Sequence, residues 1–186
     1  MSTAFSQKNF EFTKRAHLAA QRELYPRLFP ACNVSFEGVT QTAQDLEYAI
    51  DCQLSIKPFL LDLRAPIRLS VQERFRRPAS MGFNDVTVTE FNTETGVPSE
   101  LHKLGAHMFV YGFYDDDRDR LGQVWVVDVL QMQVALVNGK LRYTRGRRKG
   151  RDQTFLGFDV ARLRELGAVK YVHDGWATTG DTEPTS

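Results

Sequence analysis

Residues 46–56 read LEYAIDCQLSI, and this stretch decides the fold class. Leu46, Tyr48, Ile50, Cys52, Leu54 and Ile56 alternate with Glu47, Ala49, Asp51, Gln53 and Ser55. An apolar residue at every second position predicts a strand with one buried and one polar face. Residues 67–76 repeat the pattern. Ile67, Leu69, Val71 and Phe75 share one face, Arg68, Ser70, Gln72, Arg74 and Arg76 share the other, and Glu73 interrupts the apolar row. Residues 85–91, DVTVTEF, predict a third strand of the same kind.

Upstream, residues 5–28 predict a helix, because Phe12, Ala16, Ala19, Ala20 and Leu24 recur three and four apart. Pro26 and Pro30 are expected to end or kink it, and residues 32–39 form a short strand candidate. Downstream the period changes. Residues 98–104, PSELHKL, carry a helix-start signature, with Gly105 as a stop. Residues 107–114, HMFVYGFY, and 123–127, QVWVV, predict a hairpin around the charged turn 115–122. Asp128 can cap a helix ending at Asn138 and Gly139. Residues 153–158 predict a last short strand, and Asp159 caps a helix over 160–166 that Gly167 closes. Helix first, then strands in hairpin order, then helix and strand, predicts an α+β fold: a central mixed sheet with helices on both faces.

Composition bounds what such a fold can do. With 186 residues, 42% hydrophobic and 25% charged, the chain predicts one soluble domain over residues 1–176. Residues 177–186, ATTGDTEPTS, lack large apolar side chains and predict a disordered tail. No apolar run is long enough for a membrane-spanning helix. Residues 1–8 are polar, which argues against a secretory signal and for a cytoplasmic protein. Cys32 and Cys52 make no disulfide framework; Cys52 falls on an apolar face and reads as a small buried hydrophobe. The histidines have no zinc-ligand spacing, and the sequence holds no Gly-rich phosphate loop or nucleophile elbow.

Candidate chemistry gathers on the polar faces of the strands. Asp51 is either a solvated edge carboxylate or a ligand for a hard cation, which wants one or two carboxylates and keeps several waters. Gln72 and Arg74 lie two apart and project from one face. Paired as a meander, they would flank Asp51. A carboxylate, a second oxygen ligand and a fixed cation around one metal suit phosphodiester hydrolysis; the plain alternative is a polar face decorated with arginines. Glu23 on the first helix and the acidic turn at Asp115, Asp116, Asp117 and Asp119 read as solvated. The run 142–151, RYTRGRRKGR, holds Arg142, Arg145, Arg147, Arg148, Lys149 and Arg151 without an acid. Read as a flexible loop, it either tracks a phosphate backbone or is simply solvated. Arg74, Arg76 and Arg77 form a second basic cluster. Two such clusters in a chain of formal net charge +1 mean that acid is concentrated elsewhere, which favours a nucleic-acid face.

At these residues the chain resembles the PD-(D/E)XK, or restriction-endonuclease-like, nuclease superfamily. AIDCQL over residues 49–54 and LSVQERFR over 69–76 match that family's Asp strand and its following Glu/Gln-x-Lys strand. Residues 87–113 look like phage and mobile-element members, in which an acid and a lysine on a helix precede an aromatic strand. The resemblance covers roughly residues 45–114. It implies a restriction-endonuclease-like core, Mg²⁺ or Mn²⁺ as cofactor, DNA as substrate and partner, and no membrane, and it leaves a homodimer open. It implies Asp51 and Gln72 as metal ligands, and Arg74 or Lys103 as the phosphate clamp. Glu100 would orient water or Lys103. Glu73 would enter the site only through a bulge; without one it faces the opposite side and pairs with a cation. Arg76, Arg77, Arg145, Arg147, Arg148, Lys149 and Arg151 would hold nucleic acid. Two departures stand out: Gln72 replaces the commoner acid, and Arg74 replaces the lysine. Arginine does not deprotonate in proteins but clamps phosphate bidentately. The expected activity is metal-dependent DNA cleavage. The alternatives are a nuclease-like fold that only binds nucleic acid or a protein partner, and a phage accessory protein.

Overall fold

The computed structural model describes residues 7–38, 47–61, 63–80, 84–147 and 153–176. The chain opens with helix α1 (Gln7–Ala19), a π-helical turn (Ala20–Leu24) and helix α2 (Tyr25–Leu28). Pro26 does not end the helix, because it sits in the first turn of α2, where a missing N–H costs little. The π turn just before it absorbs the change, with the Tyr25 N–H donating to the Ala20 carbonyl.

Three strands follow as an antiparallel meander: β1 (Cys32–Gly38), β2 (Cys52–Pro58) and β3 (Ile67–Arg76). The strand expected over 46–56 is therefore shorter. Glu47 and Tyr48 are helical, and Ala49 has φ +48°, which breaks the extended run. Tyr48 is exposed rather than on the apolar face, and Glu47 is not on a strand at all. From Cys52 onward the alternation holds, with Cys52, Leu54 and Ile56 buried.

Strand β4 (Asp85–Asn92) leaves the central sheet, and helix α3 (Glu100–Lys103) follows it. Strand β5 (Met108–Asp115) then returns beside β3 in parallel and turns into β6 (Arg120–Asp128). Asp128 caps helix α4 (Val129–Val137) by accepting from the Gln131 N–H at 2.9 Å. Gly139 follows at φ +67°, the left-handed geometry that suits glycine beyond a helix end. Strands β7 (Thr144–Arg147) and β8 (Gln153–Asp159) lead to helix α5 (Val160–Glu165) and β9 (Val169–Asp174).

The fold is α+β. A six-stranded mixed sheet of order β1-β2-β3-β5-β6-β9 is accompanied by a three-stranded sheet of order β4-β8-β7. Two expectations change here. Residues 85–91 belong to the second sheet, and part of the basic run, Thr144–Arg147, is a strand rather than a loop. Residues 148–152 and 177–186 lie outside the described residues, and so do the candidates Arg148, Lys149 and Arg151 and the expected tail.

Helix α1 covers one face of the central sheet. Phe12, Ala16, Ala19, Ala20 and Leu24, the predicted stripe, pack on Cys52, Leu54, Val71, Val110 and Val124. The other face of the sheet meets the second sheet and two helices. Val86, Val88, Leu156 and Phe158, with Met132 of α4 and Leu163 of α5, pack on Phe109, Tyr111 and Trp125. Each fully buried side chain of this size contributes about 1.5–3 kcal/mol. The packing of both faces is what fixes β3 between α1 and β4.

Candidate nucleic-acid interface

Strand β2 begins at Cys52, opposite Val71. From Gln72 to Arg76, β3 therefore pairs with β5 on one side and with no strand on the other, among the described residues. That open edge is the floor of a cleft of about 860 Å³. Asn9, Thr13 and His17 of α1 form one wall, Thr87 and Thr89 of β4 with Phe155 of β8 form the other, and Gln72 through Arg77 run between them. A second depression of about 480 Å³ shares Gln72, Arg74 and Gln153 with the first and is lined further by Asn92, Ser99, Glu100 and Lys103.

Arg74 and Arg76 of β3, and Arg77 just beyond it, are held in place before any ligand arrives. Arg74 is ion-paired with Glu100. It also donates to the Thr87 carbonyl at 3.3 Å and to Thr89 Oγ1 at 3.2 Å. Arg76 donates to Thr87 Oγ1, lies 3.6 Å from Asp85 and sits over the Tyr111 ring. Arg77 lies over the Phe12 ring, 4.1 Å from its centroid, and its Nε donates to Asp116 at 3.3 Å. The Arg77 Nη2 atom is buried with no hydrogen-bond partner. Arginine carries five donors, so an acid partner orients the fork and still leaves donors for an anion.

Gln72 and Glu100 meet, with Gln72 Nε2 donating to Glu100 Oε1 at 3.3 Å. Glu100 Oε2 accepts from the Thr89 N–H at 3.1 Å, and Gln72 Oε1 is buried with no partner. Lys103 lines the second depression. Asp51 donates its own N–H to the Val71 carbonyl, beside the last Cys52–Val71 pair, and its carboxylate accepts from the Glu73 N–H at 2.7 Å. The carboxylate thus takes up a backbone donor of β3 just beyond the start of β2.

No register shift bulges β3 towards the polar face at Glu73. The Glu73 side chain points to the α1 face, where His17 Nδ1 and the Tyr25 hydroxyl each bond one carboxylate oxygen. Burial works to lower the His17 pKa. The Glu73 hydrogen bond and the charges of Glu73 and Asp51 outweigh it and hold the imidazole above its ordinary 6.5. Burial pushes the Tyr25 phenol well up, and it pushes the Cys52 thiol up as well. Neither His17 nor Tyr25 was singled out from the sequence. The spacing of His17 with Ala20 and Leu24, three and seven residues on, on the face turned to the sheet, was the available signal.

The remaining candidates lie elsewhere. Arg145 is ion-paired at 2.6 Å with Glu90, whose carboxylate is buried. Arg147 is the last residue of β7. Glu23, expected on a solvated face, accepts from the Leu121 N–H at 3.0 Å and ties the π turn to β6.

These features define an α+β protein with an arginine-lined cleft at an interrupted strand edge. No family model and no curated protein matches the chain. Among solved structures it is similar to a nuclease from a fusselovirus, at 14% identity and a TM-score of 0.35, over 89% of this chain and 93% of that one. A likeness of that size bears on neither the cleft nor its chemistry. No helix among the described residues is long and apolar enough to cross a membrane.

Proposed function

We propose that this chain binds a nucleic-acid backbone in the cleft at the open edge of β3. One observation carries the reading: Arg74, Arg76 and Arg77 line one cavity, each oriented by an acid, and Arg77 Nη2 is left without an acceptor. Preoriented guanidinium groups meet phosphate without first losing side-chain freedom. Fluorescence anisotropy with labelled oligonucleotides at low salt tests this. Arg76→Ala and Arg77→Ala should weaken binding and lower its salt dependence. An absence of binding to any oligonucleotide at low salt would overturn the proposal.

Metal-dependent hydrolysis of DNA is the second reading, and the orphaned Gln72 Oε1 beside Glu100 is what favours it. The rest of the donor set does not fit a resident Mg²⁺ or Mn²⁺. Asp51 is engaged by the Glu73 amide, Glu73 faces His17 and Tyr25, and Glu100 is neutralised by Arg74. Binding is therefore the better-supported reading. Cleavage assays on single- and double-stranded DNA with Mg²⁺ and with Mn²⁺ separate the two. If the protein cleaves, Asp51→Asn should abolish cleavage while the fold survives, because it removes the charge a hard cation needs. A protein that binds oligonucleotides but is inert with both metals stands as a binder.

A further inference from the structure

The cleft walls hold aromatic rings among the arginines, and the order of these groups bears on which nucleic acid enters. We infer that the cleft takes a single strand, with bases stacked on Phe155 and Phe75 while Arg74, Arg76 and Arg77 hold the backbone; this rests on the nucleic-acid reading above. Phe155 stands opposite Thr89 in the β4–β8 ladder, so the two side chains share a face, and both line the cavity. On its other side Phe155 pairs with Gly146 of β7. A Cβ added at Gly146 would collide with the Phe155 ring, so the ring lies flat across a position that has no side chain. The ring is half-buried and lines the cavity. Phe75, on the α1 side of the strand from which Arg74 and Arg76 point away, is also half-buried, lines the same cavity and meets the His17 ring edge-on at 6.2 Å.

Cations that follow a backbone, interleaved with aromatic faces for bases, are the recognition chemistry of single strands. A duplex keeps its bases stacked inside and offers these rings nothing to stack on. Size points the same way. A cavity of about 860 Å³ is of the class that encloses a drug-sized ligand, hence a short piece of one strand. The second depression continues it through Gln72, Arg74 and Gln153, so a strand has room to extend past the arginines.

The test compares a labelled oligothymidylate with a duplex of equal length at one salt concentration, using the full chain. The single strand should bind at least about tenfold more tightly. Phe155→Leu keeps an apolar side chain for packing but removes the aromatic face, and should cost single-strand affinity about fivefold or more. The slope of affinity against salt should stay unchanged, since no phosphate contact is lost. Gly146→Ala, which displaces the ring without altering it, should act in the same direction. Duplex binding as tight as single-strand binding, or a Phe155→Leu protein that binds the single strand like wild type, would overturn the inference and leave the backbone-binding proposal standing. Failure to bind either oligonucleotide would instead remove the proposal beneath it.

Discussion

Glu73 shows how one residue can look like site chemistry in a sequence and act as architecture in the fold. Its carboxylate is buried in the α1 face of the sheet and is satisfied by His17 and Tyr25. An unpartnered charge there would be costly, and the pairing is what makes the position tolerable. The His17 pKa is raised by Glu73 and Asp51 against burial. A group whose folded pKa exceeds its unfolded value contributes stability that is complete below the unfolded pKa. That contribution is lost as pH rises through the folded one. The melting temperature should therefore decline as pH climbs from below 6.5 through the raised His17 pKa. Glu73→Gln should remove this decline and cost about 1–3 kcal/mol at the lower pH, because it deletes a charged acceptor from a buried network. A scan of melting temperature against pH for both proteins checks it; parallel curves would show that His17 titrates without sensing Glu73.

Elements were legible from the sequence where a face is buried and illegible where a partner had to be named. Gly112 illustrates the limit. It lies in β5, where a Cβ would come within 2.5 Å of the Gln123 carbonyl and 2.7 Å of Val124 Cα, both on the neighbouring strand β6. The register of β5 on β6 shifts between Gly112 and Tyr114, so the strands approach closely there. Gly112→Ala should thus destabilise the protein by about 1–3 kcal/mol through overpacking against backbone, as measured by denaturant unfolding; a neutral result would mean that β6 can yield. The same contrast runs through the fold. Alternation located β3 and β4, aromatic and β-branched residues located β5 and β6, and helical spacing located the buried stripe of the first helix, because each pattern reports what a single element buries. It does not report that β4 pairs with β8 rather than with the meander, nor that residues 169–174 complete the sheet beside β6. Those facts follow from long-range pairing. The site divides likewise. That Gln72 and Arg74 share a face was readable from their spacing, whereas their meeting with Glu100 and the turning of Asp51 to the Glu73 amide, where β2 has not yet begun, depend on long-range packing.

At the scale of the whole molecule the question is which cations attract nucleic acid from a distance. The net charge of +1 hides a chain in which many arginines are already answered: Arg74 by Glu100, Arg76 by Asp85, Arg77 by Asp116 and Arg145 by Glu90. A paired arginine still donates hydrogen bonds at short range, but its field is cancelled within a few ångströms by the acid beside it. Long-range attraction must come from cations in acid-poor sequence, and residues 145–151, RGRRKGR, are the densest such run. Replacing Arg147, Arg148 and Lys149 together with Ala should weaken nucleic-acid binding and flatten its logarithmic salt slope, by about 0.7 per lost contact on a single strand and about 0.9 on a duplex. Arg145→Ala should behave differently. It strips the charged partner from buried Glu90 and leaves it the Thr154 hydroxyl, so its main effect should be lost stability in a thermal melt rather than a changed salt slope. Slopes measured for both variants against wild type decide the matter. A triple variant with the wild-type slope would assign the run to solvent, and attraction would then have to come from the cleft arginines alone, with their acids displaced by the incoming phosphate.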